Sequence, residues 1–105
     1  MKKLRVLAEA RQEFADALRW YRGKAPAFAE ALALEYRTIV RRARQFPDAG
    51  AVETPSESMT VRRHLLHQFP YKVLTVSLPD QIVVIAFAHM KRKPGYWLER
   101  VQPKD

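Results

Sequence analysis

Ile82-Val83-Val84-Ile85-Ala86-Phe87-Ala88 constrains this chain more than any other stretch. It is too rich in β-branched residues, and too short, to favour a helix. A strand with no apolar/polar alternation has both faces covered, so this one is predicted to lie inside a sheet. The surrounding segment, Phe69 to Trp97, reads as two strands and a basic, aromatic tail. The remaining segments are expected to pack on that strand or to place charge around its exit.

At 105 residues the chain is long enough for one core and is expected to form a single domain over 1–105. No run approaches the ~20 apolar residues that a membrane span needs, and no secretory leader is apparent after Met1-Lys2-Lys3-Leu4. There is no cysteine, which excludes disulfides and thiolate metal sites and fits a reducing, cytoplasmic setting. Nineteen Lys and Arg against eleven Asp and Glu leave a net charge of +8, which favours anionic partners such as nucleic acid, acidic proteins or anionic surfaces.

Taken in order, Leu4 to Leu7 is a short first strand. Ala10, Phe14, Ala17, Leu18 and Tyr21 recur at helical spacing from Glu9 onward, with Glu9 and Glu13 near the positive end of that helix. Gly23 and Pro26 separate it from a second helix, whose stripe of Phe28, Leu32, Tyr36, Ile39, Ala43 and Phe46 ends at Pro47. So short a connection predicts an antiparallel helical hairpin. Ala49 to Thr60 holds no period and reads as an exposed loop carrying Glu53 and Glu57. Val61 to Gln68 is the second strand and Tyr71 to Leu78 the third, and the apolar fourth follows a Pro-Asp turn. The fold class is α+β: β-α-α-β-β-β, a helical hairpin on one face of a mostly antiparallel four-stranded sheet.

Enzyme signatures are sparse. Gly23, Gly50 and Gly95 form neither a P-loop nor a dinucleotide fingerprint. His64 and His67 point to opposite faces of a strand without a carboxylate cluster, so no metal site and no cofactor are expected, only two partly exposed histidines. The constellation that stands out is basic: Arg62, Arg63, Lys72, His89, Lys91, Arg92 and Lys93, with Tyr96 and Trp97. In a meander, one of the paired arginines, Lys72 and the cations after strand four would converge near one sheet surface able to hold phosphates. Tyr96 and Trp97 would either stack on a base or anchor the tail to the core.

Phe14 with Trp20-Tyr21, Phe46-Pro47 with Gly50, Arg62-Arg63, Phe69-Pro70-Tyr71 and His89-x-x-Arg92-x-Pro94-x-Tyr96-Trp97 resemble the RelE/ParE superfamily of type II toxins. The likeness is closest to the ParE branch, also labelled plasmid-stabilisation proteins. It implies a toxin neutralised by a cognate antitoxin and directed at DNA gyrase, or, if RelE-like, at messenger RNA in the ribosome. For a nuclease, the resemblance lays Lys72, Lys91 and Tyr96 on the catalytic positions. Lys in place of a planar Arg fork, and Trp97 near the place of a phenol, favour a toxin that binds a protein over one that cuts RNA. A +8 domain also invites an acidic, ParD-like partner, whose amphipathic helix would lie in a groove lined by Ala10, Leu18, Leu34 and Val40.

Overall fold

The computed structural model describes residues 1–54 and 59–101. Its elements are β1 (Lys3–Val6), α1 (Ala8–Lys24), α2 (Pro26–Gln45), β2 (Ala51–Thr54), β3 (Val61–Leu65), β4 (Tyr71–Ser77) and β5 (Gln81–His89), followed by a 3₁₀ turn at Leu98–Arg100. The helices form the expected hairpin with Ala25 alone between them. Its N–H closes α1 on the Tyr21 carbonyl at 2.9 Å, and Pro26 opens α2. α2 ends where the Phe46 N–H reaches the Arg42 carbonyl, at 2.8 Å, ahead of Pro47.

The sheet has five strands in the order β1-β5-β4-β3-β2, with β1 parallel to β5 and the other pairs antiparallel. This corrects the four-strand expectation, because Ala51–Thr54 belongs to the sheet and not to a loop. Such a strand leaves little trace in sequence: it is four residues long, lies at an edge and pairs on one side only. Of the expected loop, residues 55–58 lie outside the described residues. β3 stops at Leu65, short of Gln68, because the chain then turns tightly, with Leu66 N–H on the Tyr71 carbonyl at 3.0 Å and Tyr71 N–H on that of Phe69 at 2.8 Å.

Residues Ile82 to Ala88 are all buried, as their unbroken apolar character requires. Against one face lie the helices, where Ala10, Ala17, Leu32 and Val40 meet Val73, Val84 and Phe87, with Phe14 stacked on Tyr36 at 4.1 Å. The opposite face has no α-helix among the described residues. There Val61, Leu74, Val76, Val83, Ile85 and Ala86 are closed over by Trp97, only 2% exposed, with Tyr96 and Val101 beside it. Phe28 and Phe46, expected on the buried stripe of α2, are exposed at its two ends, 53% and 61%. His64 is buried and hydrogen-bonded to Thr75 Oγ1 at 3.0 Å, where a partly exposed residue was expected; its register partner Val73 is in the helix-side core.

β5 outruns its parallel neighbour. β1 pairs only with Gln81 to Val84, then Leu7 N–H takes the Val84 carbonyl at 3.0 Å and the chain enters α1. Among the described residues, Ile85 to His89 therefore have no strand beside them on that edge.

Gly50 is needed for space. A Cβ there would lie 2.6 Å from the Arg63 carbonyl oxygen and 2.7 Å from the His64 ring, and a backbone carbonyl in a paired strand cannot easily move. Gly50→Ala is expected to cost about 1–3 kcal/mol, the range for overpacking. Gly23→Ala, with nothing within 4 Å, should cost nothing. Urea unfolding of the two variants, compared by midpoint at constant slope, checks the pair.

Candidate functional site

The sheet register sorts the basic residues by face. Arg63 lies opposite Leu74, and Lys72 opposite Leu65 and Ala88, which puts Arg63 and Lys72 on the helix-free side. Arg62 and His64 alternate with them toward the helices. Both cations on the helix-free side converge on one carboxylate, Glu53 of β2: Arg63 Nη1 lies 3.3 Å from Oε1, and Lys72 Nζ donates to Oε2. Arg63 also donates to the Val52 carbonyl at 2.8 Å. Arg62 reaches the carbonyls of Asp48 and Gly50, at 3.1 and 2.7 Å. These three residues bind the edge strand β2 and its approach to the sheet, so their charge is already directed inward.

The cations after β5 belong to a second network. Arg92 lies over the Tyr96 ring, 4.0 Å from its centroid. Tyr96 donates its hydroxyl hydrogen to Glu13 Oε2 at 2.6 Å. Glu13, reaching from α1, also accepts the Phe87 N–H at 3.1 Å and receives Arg100 on both oxygens, at 2.8 and 3.1 Å. Arg100 in turn donates to the Ile85 carbonyl at 3.0 Å. Glu13 and Arg100 thus satisfy the backbone of β5 just where β1 has left it unpaired. Burial alone would push the Glu13 carboxyl up, but the hydrogen bonds from Arg100, Tyr96 and Phe87 outweigh it and hold the acid below its ordinary value. Burial, then the bond to Glu13 and its charge, push the Tyr96 phenol well above the usual tyrosine range.

A cavity of about 540 Å³ opens between α1 and the end of β5, lined by Glu13, Trp20, Tyr71, His89, Arg92 and Tyr96 among others. His89 packs edge-on against Tyr71 at 5.0 Å, and its Nδ1 accepts the Lys91 N–H at 3.0 Å. The side chains of Lys91 and Lys93 are exposed and have no partner among the described residues. Trp97 is core and cannot stack on a ligand. Of the four residues expected to line a partner groove, Ala10 and Val40 are buried in the core, Leu18 is half-buried, and Leu34 is open at 60% exposure. No group of three or more metal-ligating side chains occurs among the described residues, and no helix there is long and apolar enough to cross a membrane.

Glu13 and Arg100, which organise the second network, do not stand out in the sequence by type. A signal existed for the first. Glu13 falls between Ala10 and Ala17 at spacings of three and four, an acid on the buried stripe of an amphipathic helix.

The arrangement as a whole, two helices on a five-stranded mixed sheet, is a ParE-like α+β fold. A chain of the solved structure described as the "Chromosomal ParDE TA system from P. aeruginosa" superposes with a TM-score of 0.69, over 85% of this chain and 96% of that one, at 20% sequence identity. No protein-family model and no curated protein matches the sequence.

Proposed function

We propose that this chain is the toxin of a type II toxin–antitoxin pair, that it acts in the cytoplasm by binding DNA gyrase, and that an acidic, ParD-like antitoxin neutralises it. The ParE-like fold, the residues that resemble the ParE branch and the net charge of +8 support this reading. What favours a protein-binding toxin over a ribonuclease is the state of two of the three groups a nuclease would use. Lys72 is paired with Glu53, and the Tyr96 phenol is held by Glu13 with its proton tightly bound. A phosphodiester cleaved by such residues needs free cations on the phosphate and a phenol able to exchange its proton. Exposed Lys91 and Arg92 remain available to an acidic protein surface.

Expression without an antitoxin, followed by assays on purified protein, tests the reading. Growth arrest with inhibited supercoiling is the expected result, and message on the ribosome should stay intact. Cleavage of A-site message with normal supercoiling would replace this reading by the RelE-like one. No growth defect would leave a non-toxic basic interaction module. Reversing two charges, Lys91→Glu with Arg92→Glu, is expected to abolish growth arrest. The lost Arg92–Tyr96 contact costs about 0.5–1 kcal/mol, too little to unfold the domain, so a cooperative melt should persist. Unchanged killing by a folded double variant would remove these residues from the mechanism.

A further inference from the structure

A second cavity, of about 350 Å³, lies between the C-terminal half of α2 and the β2–β3 edge, far from the Glu13 network in both sequence and partners. Its wall includes Ile39, Arg42, Gly50, His64, Leu65 and His67, with Arg63 as the remaining titratable residue. Every titratable group in that wall is basic. Arg63 is committed to Val52 and Glu53, but the Arg42 guanidinium and the His67 ring have no partner among the described residues. Glu35, an acid beside the His67 end of the cavity, is occupied: its carboxylate accepts the His67 and Gln68 backbone N–H groups.

His64 completes the arrangement. Its Nε2 is paired with Thr75 Oγ1 at 3.0 Å, and burial, then the charges of Arg42 and Arg62, push the ring below the ordinary histidine value. A neutral ring that accepts the Thr75 hydroxyl hydrogen on Nε2 carries its own proton on Nδ1. No fully buried side-chain nitrogen or oxygen among the described residues lacks a partner, and Nδ1 has none, so Nδ1 keeps access to solvent. The cavity therefore offers one guanidinium, one free imidazole and, in the Nδ1–H tautomer of His64, one neutral N–H donor, beside Ile39. Its volume is well beyond that of a bare phosphate.

From this we infer a binding site for a phosphate monoester carried on an apolar ring system, as in a nucleoside monophosphate. Arg42 and His67 hold the phosphate, His64 in its Nδ1–H tautomer donates to it, and the ring system lies against Ile39. The site is independent of the toxin reading: gyrase inhibition could fail while this site stands, and the reverse.

The chain has three histidines, which makes imidazole NMR a direct probe. At pH 7 and constant ionic strength set with chloride, titration with adenosine 5′-monophosphate is expected to move His64 and His67 together along one saturating curve. His89, which lines the other cavity, should stay in place. Arg42 is exposed, so Arg42→Gln should fold normally and weaken binding about ten-fold or more through loss of a charge-assisted hydrogen bond. Inorganic phosphate alone should bind more weakly than the nucleotide. Equal binding of the two would overturn the role given to Ile39. No shift beyond the chloride control, parallel movement of His89, or an unchanged dissociation constant in Arg42→Gln would overturn the site itself.

Discussion

Glu13→Ala is expected to lower stability by about 3–5 kcal/mol, the range for removing one partner of a buried ion pair. The side chains of Glu13 and Arg100 are only 18% and 14% exposed, so the variant strands a guanidinium with little water to replace its carboxylate. It also leaves the Phe87 N–H and the Tyr96 hydroxyl without their acceptor. Against the about 5–15 kcal/mol that separates folded from unfolded states of small domains, this is a large share. Glu13→Gln keeps an acceptor and should recover part of the loss. The effect should also depend on pH. Because the folded acid is held below its ordinary value of 4.5, its contribution is fully present above that pH and disappears as pH falls through the lower, folded value. Urea unfolding of native protein and Glu13→Ala from pH 7 down to pH 3 should therefore show the gap narrowing below about 4.5. A gap that stays constant with pH would mean that Glu13 contributes through packing alone.

Trp97→Ala is expected to cost a further-reaching 3–5 kcal/mol, about what deleting a core aromatic removes. Trp97 closes the helix-free face over Leu74, Val83, Ile85 and Ala86. Trp97→Phe should retain most of the stability. Calorimetric midpoints of both variants check this, and they also guard the functional assays. If Trp97→Ala loses toxicity together with its cooperative melt, the loss reports a damaged core and says nothing about target contact. A near-native midpoint for Trp97→Ala would mean that the C-terminal segment does not cover the sheet in solution.

Much of this architecture was legible in the residues, for reasons that are themselves physical. The helical hairpin follows from the spacing of Phe14, Leu32 and Tyr36 and from Pro26 and Pro47. The run from Ile82 to Ala88 announces a strand covered twice. Other features depend on partners far along the chain. Glu13 reads locally as an acid near the start of a helix, yet its three partners lie 74, 83 and 87 residues away. β2 escapes notice because an edge strand whose Glu53 serves two cations of other strands has no period of its own. The basic constellation is visible as composition, but whether each cation faces outward or holds a neighbour is settled by register. Arg62, Arg63 and Lys72 turn out to fasten an edge, and Lys91 and Arg92 to be exposed.

The parallel seam between β1 and β5 bears on the order of events during synthesis. Lys3 to Val6 emerge first, but the strand they pair with is Gln81 to Val84. Glu13 waits 74 residues for the Phe87 amide, on the order of 4 to 15 seconds at ~5–20 residues per second. Until then the nascent helical hairpin has no finished surface to settle on. The helical hairpin is therefore made well before the strand it packs on, and the native form waits for β5.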